Sequence, residues 1–352
     1  MTKFRLIALL ALPLLSAFGC SSDVASSAVG SGGKAVELLN VSNDPTRELW
    51  KDINQVFSAK YEQEHGAPLK VKQSHGGSGS QARAVIDGLE ADVVALGLWP
   101  DTDQLRKKGL IKDGWEERLP YHSQPYTSTI VFVVRKGNPK KIQDWPDLIK
   151  PGVEVITPNP KTSGNGRLSF LAAWGSVILN GGSEDQARDF VTQLFQHIPN
   201  LDTGARGATV TFAQKGIGDV HLTWENEAHL ETEESKGELE IVFPPLSILA
   251  DPPVAVVDTI VDRKGTRAPA EEYLQFLYTP ECQAIFAKHY YRPSDPAVFE
   301  QHKEKFPEVQ RFPVTRLVAS WDEAQGKFFA DGGVFDLIYQ VPPKEAKVPS
   351  EL

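Results

Sequence analysis

Gln73-Ser74-His75-Gly76-Gly77-Ser78-Gly79-Ser80-Gln81-Ala82-Arg83 joins two segments of different periodicity. Leu69 and Val71 alternate into it like a strand, and Ala82 to Leu89 leave it like a helix. A strand that passes through a glycine-rich turn into a helix leaves backbone N–H groups unpaired at the helix start and aims them outward. Glycines let that backbone approach a guest closely, and Ser78 and Ser80 are suited to cap the helix. The guest such a turn suits is a small anion. An ordinary Gly/Ser loop fits the same residues.

Outward from this stretch, composition sets limits. The chain has 352 residues, 41% of them hydrophobic, enough for a large core in two domains. Its formal net charge of −9 argues against a nucleic-acid partner. An anion site in an acidic chain must then rely on helix ends and neutral donors. Met1 to Cys20 reads as an export signal: Lys3 and Arg5 open it, and Ile7 to Leu15 form an apolar run too short to span a bilayer. Its end, Ser16-Ala17-Phe18-Gly19-Cys20, resembles a bacterial lipobox, in which Cys20 becomes the lipidated first residue. Ala17 stands where Leu is usual, so cleavage by the ordinary secretory peptidase and an uncleaved anchor remain alternatives. Residues 21–35, rich in Ser, Gly and Ala, read as a flexible tether. Cys282 is the one other cysteine, which excludes an intramolecular disulfide framework in the mature chain. It is expected to be a small packing residue.

Beyond the tether, strands and helices alternate. Val36 to Val41, the run around Val71, and Ala91 to Leu96 read as strands. Glu48 to Tyr61 is an amphipathic helix, and Thr102 to Lys108 a shorter one. This alternation predicts an α/β fold with mostly parallel sheets flanked by helices. Tyr126 to Arg135 is a long β-branched strand expected to cross from one lobe into a second. There Val153 to Ile156 runs into Thr157-Pro158-Asn159-Pro160-Lys161-Thr162-Ser163-Gly164-Asn165-Gly166 and the helix Leu168 to Leu179, repeating the opening pattern. A third polar turn, Asp202 to Gly207, precedes a helical run, and Asp219 to Trp224 is a strand. Val254 to Val257 reads as the return crossing, and Arg311 to Asp336 as a closing segment.

The usual catalytic signatures are missing. The sequence contains no Cys-x-x-Cys and no His-Glu-x-x-His, and its eight histidines are scattered. Gly76 to Ser80 fails the Gly-x-Ser-x-Gly pattern at Ser80, and neither glycine loop ends as a phosphate-binding P-loop does. What remains are donors: Ser78, Ser163-Gly164-Asn165 and Gly204-Ala205 at helix starts, and the indole N–H of Trp224. Plain N-caps at the serines, a core role for Trp224, and solvated charges at Arg167 and Arg206 fit these residues too.

Longer motifs decide between these. Asn40 to Leu49, Gln73 to Gly79, Pro125 to Thr129, Val155 to Lys161, Ser163-Gly164, Gly204 to Gly207, Gly216 to Val220 and Trp224-Glu225-Asn226-Glu227-Ala228 occur in order. Together they resemble the periplasmic sulfate-binding proteins of bacterial sulfate/thiosulfate ABC transporters, over Leu38 to about Phe335. The resemblance implies a two-lobed periplasmic-binding-protein fold of type II, with a hinge between lobes. Its parts would be a lipoprotein-type signal (1–20), the tether (21–35), a discontinuous first lobe (36–124 plus 251–312), a second lobe (125–250), and a C-terminal closing segment and tail (313–352). It implies a cleft that holds sulfate through neutral donors at Ser78, Ser163, Gly164, Asn165, Ala205 and Trp224, with Asp44 steadying the loops. In that family Gly-Gly commonly follows the second serine. Here Asn165 replaces the second glycine, keeping the N–H and narrowing the cleft. No cofactor or metal and no enzymatic activity are implied. The implied partners are an ABC permease and, through Cys20, a membrane, for a monomeric periplasmic lipoprotein. Thiosulfate, molybdate or phosphate are alternative guests, and a lipid-anchored hydrolase of sulfate or phosphate esters is the alternative from another class.

Overall fold

The computed structural model describes residues 35–339, so the export signal, most of the tether, Cys20 and the last residues of the tail lie outside it. Its strands are β1 (Val36–Asn43), β2 (Leu69–Gly76), β3 (Val93–Ala95), β4 (Tyr126–Arg135), β5 (Val155–Pro158), β6 (Leu201–Asp202), β7 (Val220–Trp224), β8 (Leu239–Val242), β9 (Leu246–Ala250), β10 (Val254–Val256), β11 (Arg292–Pro293) and β12 (Gln310–Phe312). The helices that bear on the site are α1 (Arg47–His65), α2 (Ser78–Ile86), α3 (Trp99–Lys107), α4 (Gly164–Leu179), α5 (Ala205–Thr209), α6 (Glu225–Glu234) and α7 (Pro280–Lys288).

Two sheets organise the chain. The first runs β10-β3-β1-β2, with β1 parallel to both β2 and β3 and β10 antiparallel at the edge. Leu38, Trp50, Phe57, Tyr273 and Cys282 pack on one side of it, and Val41, Val94, Leu105 and Trp115 form a second cluster. Cys282 is a buried free thiol whose pKa burial pushes well above its usual value, in keeping with a packing role. The second sheet runs β12-β9-β4-β7-β5-β6 and is mixed. β5 is parallel to β6 and β7, and β12 is parallel to β9, but β4 is antiparallel to β7, β8, β9 and β11. The expected parallel order therefore holds in the first sheet and gives way around the crossing strand β4 in the second.

Three other expectations change. Gln310–Phe312, grouped by sequence with the first lobe, adds a strand to the second sheet, and Phe312 is buried in that core beside Phe170 and Trp174. Helix α6 went unread because its glutamates stand at positions 225, 227, 231, 233 and 234 and leave no apolar stripe. Strands β8 and β9 went unread because Pro244 and Pro245 break their apolar run.

The parallel strands matter because their carboxyl ends share an edge, where open α/β sheets bind their ligands. β1, β2 and β3 end at Asn43, Gly76 and Ala95, and β5, β6 and β7 end at Pro158, Asp202 and Trp224. The loops that follow them form the candidate site.

The seating of β12 is testable. A Cβ on Gly175 of α4 would lie 2.2 Å from Phe312 Cζ. Gly175→Ala is expected to destabilise by about 1–3 kcal/mol through overpacking, measured by urea unfolding, and Phe312→Leu in the same chain should restore part of the loss. An unchanged midpoint would show that the ring is not fixed there.

Candidate functional site

Every position singled out from the sequence as a guest-binding or loop-steadying residue comes together. Asp44, Ser78, Ser163, Gly164, Asn165, Ala205 and Trp224 line one cavity, joined by Asn43, Pro45, Gly76 and Gly77. Its volume, counted as space for the centre of a water molecule, is about 10 Å³. That is about the space of one water-sized sphere, so the loops stand close together around it. Loops that follow strands of the two sheets meet directly here. A Cβ on Gly77 would sit 2.6 Å from Thr162 O, and one on Gly204 would sit 2.6 Å from Asp44 Oδ2. Only glycine lets the two backbones approach this closely.

Three helix starts supply donors. Ser163 caps α4, its Oγ accepting from Gly166 N at 3.4 Å, which leaves the Gly164 and Asn165 N–H groups unpaired in the first turn. Gly204 precedes α5, so the Ala205 N–H is likewise unpaired. At α2 the expected cap shifts by one residue: Gly77 is the N-cap and Ser78 is the first helical residue. Its hydroxyl is drawn away from the cap. Ser78 Oγ donates to Asp101 Oδ2 at 2.5 Å and accepts from Gly97 N at 2.9 Å. Trp224, at the end of β7, is 1% exposed, and its indole Nε1–H has no hydrogen-bond partner among the described residues. The core role foreseen as an alternative accounts for its ring but not for this N–H.

Asn165 departs from its expected effect. Its Nδ2 donates to Leu222 O at 3.2 Å and its Oδ1 accepts from Ser169 Oγ at 3.3 Å. The side chain thus ties α4 to β7 and does not crowd the cavity. Asp44 lines the cavity, but its recorded partner is Arg47, whose Nη2 donates to Oδ1 at 2.8 Å, and not the loop N–H groups.

Among the described residues, no Lys, Arg or His lines the cavity. The cations nearby are held elsewhere. Arg167, for which a solvated charge was one alternative, is 4% exposed and pairs with Asp101 at 2.6 Å, joining α4 to α3. Arg206 is shared between Glu48 at 3.0 Å and Glu227 at 3.4 Å. His75 bonds Ser42 Oγ through Nδ1 at 2.7 Å, and burial with the nearby Arg47 pushes its pKa down to about 4, so it is neutral at physiological pH. Asp101 was missed by sequence reasoning, since nothing in the motif Trp99-Pro100-Asp101 marks it as the partner of a serine and an arginine elsewhere in the chain. The arrangement can therefore hold a small acceptor-rich guest by hydrogen bonds and helix dipoles without a contacting counter-ion.

Comparison with known proteins agrees with this geometry. The family model described as "Bacterial extracellular solute-binding protein" matches residues 46–292. A sulfate-binding protein of Salmonella typhimurium is 53% identical over 87% of this chain and 93% of its own length. A thiosulfate-binding protein of Pseudomonas aeruginosa is 48% identical over 92% of this chain and 98% of its own. Among solved structures, the sulfate-binding protein SubI of Mycobacterium tuberculosis aligns with a TM-score of 0.77 at 33% identity, over 84% of this chain and 99% of that one. With a two-sheet α/β fold, a donor-lined cavity between the sheets and this extent of likeness, the chain belongs to the bacterial extracellular solute-binding proteins.

Proposed function

We propose that this chain captures sulfate in the cavity around Ser78, Ser163, Gly164, Asn165, Ala205 and Trp224 and delivers it to an ABC permease. The observation that carries the proposal is the buried, unpartnered Trp224 N–H beside three helix starts in a cavity lined by no cationic side chain. Trp50 and Trp115 also bury an N–H without a partner among the described residues, so the weight falls on the convergence of Trp224 with three helix starts, to which an oxyanion supplies acceptors at once. The names of the relatives support sulfate, and thiosulfate, a tetrahedral dianion of the same acceptor-only character, is the second reading. Molybdate and phosphate belong to the same test panel. Charge-assisted hydrogen bonds contribute about 1.5–3 kcal/mol each, and a micromolar dissociation constant needs only about 8 kcal/mol net.

The lobes of this proposal meet at the crossings near 124–126 and 250–254, with 310–339 counted in the second lobe because β12 pairs there. Asp44, held by Arg47 against Gly204, steadies the contact of the loops. The role is transport and not catalysis. Ser78 has a carboxylate within reach in Asp101, but that carboxylate is already bound by Arg167, and no histidine lines the cavity. Release of product from a sulfate or phosphate ester by the purified protein would reinstate the hydrolase. Export through residues 1–20 and lipidation of Cys20 would place the protein outside the cytoplasm on a membrane tether, acting as a monomer.

Calorimetric titration with a panel of oxyanions tests the assignment. Trp224→Phe keeps the apolar ring and removes one donor. It is expected to weaken sulfate binding about ten- to a hundredfold, the equivalent of about 1.5–3 kcal/mol. An unaltered affinity would return Trp224 to a purely structural role.

Protonation distinguishes the guests. Near neutral pH sulfate presents acceptors only, whereas phosphate always carries an O–H. Asp44 is the one carboxylate lining the cavity, and its Oδ1 is engaged by Arg47. Asp44 Oδ2 lies toward Gly204; if Asp44 turns no oxygen to the guest, phosphate's proton would be buried without a partner, at about 1–3 kcal/mol or more. Phosphate in large excess is expected not to displace bound sulfate. Displacement at comparable concentration would overturn both the ligand and the role given to Asp44.

Anchoring has its own check. Cys20→Ser is expected to release the protein from the membrane fraction of lysed cells, and unchanged retention would sink the lipid anchor.

A further inference from the structure

Asn165 stands where two groups of donors on the second sheet meet. The first amides of α4 belong to Gly164 and Asn165, and the Trp224 indole sits at the end of β7; all three residues line the cavity. Pairing along β7 is uneven at that end. On one edge β4 accompanies it as far as Ile130↔Trp224, whereas on the other the ladder with β5 stops at Ile156↔His221. β5 itself ends at Pro158, and the chain passes through a loop into α4. Leu222 lies one residue beyond the last β5 pair and two before Trp224. Its carbonyl is the one that Asn165 Nδ2 reaches, at 3.2 Å.

This contact is not a local one. Asparagine side chains near a helix start ordinarily bond main-chain groups close by in sequence, but this carboxamide reaches 57 positions along the chain to another strand. Its Oδ1 is held at the same time by the hydroxyl of Ser169, one turn further along α4, at 3.3 Å. Asn165 is 2% exposed, so water offers these groups little competition. The position calls for a donor and an acceptor on one short planar group, which a carboxamide supplies and a carboxylate does not. An aspartate here would meet Leu222 O with a second acceptor. One residue thus offers its main-chain N–H to the cavity and ties down the strand that carries the indole.

We propose that Asn165 is a positioning residue that fixes the α4 amides and the Trp224 indole into one rigid donor set, and that this rigidity selects sulfate over thiosulfate. The inference rests on the anion-capture function proposed above and deepens it. Sulfate presents four equivalent oxygens. In thiosulfate one of them is replaced by a sulfur, which is larger, stands further out on its bond and is a weak acceptor. A fixed donor set rejects that shape twice. The donor facing the sulfur loses its acceptor, and the sulfur needs room where Gly77 and Gly204 stand too close to Thr162 O and Asp44 Oδ2 to admit even a Cβ. Donors free to shift by about 0.5 Å lose this discrimination. Rigid donors also need no ordering at the moment of binding, which favours the guest they fit.

The experiment uses the full-length protein and Asn165→Ala, which keeps the main-chain N–H and the Cβ and removes the carboxamide. Calorimetric titration with sulfate and with thiosulfate gives the ratio of their dissociation constants. Nuclear magnetic resonance of protein labelled with nitrogen-15 tryptophan, with Trp224→Phe to assign the signal, reports the Trp224 indole N–H. The unmodified protein is expected to bind sulfate more tightly than thiosulfate. In Asn165→Ala sulfate binding should weaken about tenfold and thiosulfate binding by less, so that the ratio narrows, and the Trp224 signal of the anion-free protein should shift or broaden. Ser169→Ala, which frees Oδ1 and leaves Nδ2 in place, should move the ratio the same way by a smaller factor, and it carries the test should Asn165→Ala fail to fold. Tighter binding of thiosulfate by the unmodified protein, equal losses for both anions, or an unchanged Trp224 signal overturns the proposal. Binding of neither anion by the unmodified protein would instead overturn the capture function and the selectivity with it, while the Trp224 signal of the anion-free variant would still decide the positioning role.

Discussion

A hydrogen-bond donor sealed from water and left without an acceptor forfeits its solvation for nothing, at about 1–3 kcal/mol each. The cavity between the sheets gathers one such donor, the Trp224 indole, with the first amides of α2, α4 and α5, which have no partner among the described residues. Their convergence is the constraint on which the rest of the structure depends. Arg167, Arg206 and Arg47 each pair with a carboxylate, so none of these three nearby cations is left free to compete with the dipoles for the guest. A pocket lined by a mobile lysine would accept many anions in many orientations. Fixed amides accept a guest only where its acceptors fall.

Topology supplies this convergence cheaply. β1 and β2 are parallel and in register from Val36↔Leu69 to Asn43↔Gly76, so the chain leaves both strands at one edge and enters helices there. The second sheet repeats the device with β5 and β7, even though β4 runs antiparallel through it. What is shared between the lobes is local: a strand end, a polar turn, and a helix whose first N–H groups point at the same small volume. The antiparallel crossing of β4 leaves that local unit untouched, which is why a mixed sheet serves as well as a parallel one.

How much of this was legible in the sequence depended on range. Ser163-Gly164-Asn165 and Gly204-Ala205 could be placed because turn chemistry and helix starts are written in a few adjacent residues. Trp224 could be placed only through the family resemblance, because its own neighbourhood in sequence left a core role open. Asp101 could not, because its meaning lies in Ser78 and Arg167, far away in sequence and close only after folding. The orientation of Asn165 was unreadable for the same reason: Leu222 O, which holds its amide, is on another strand. Helix α6 shows a third limit. Its inward glutamates, Glu225, Glu227 and Glu231, are buried against Arg292, Arg206 and His221, so a helix face that looks solvated in sequence is interior in fact.

The contacts between the lobes bear on why a guest would be needed to hold them together. The Asp101–Arg167 pair crosses from α3 to α4 and is almost fully buried. Buried ion pairs of this kind return roughly what their desolvation costs, so the pair fixes the register of the lobes without supplying much net attraction. Gly77 against Thr162 O and Gly204 against Asp44 Oδ2 are close approaches that bury backbone and carboxylate and add little apolar area. A ligand that touches both sides would shift an equilibrium between open and closed arrangements only by the difference in its affinity for the two. The donors of α2 come from one lobe, and those of α4, α5 and Trp224 from the other. Under the proposed function, a guest bound to all of them would make its full set of hydrogen bonds only when the two sides meet, and that difference would turn binding into closure.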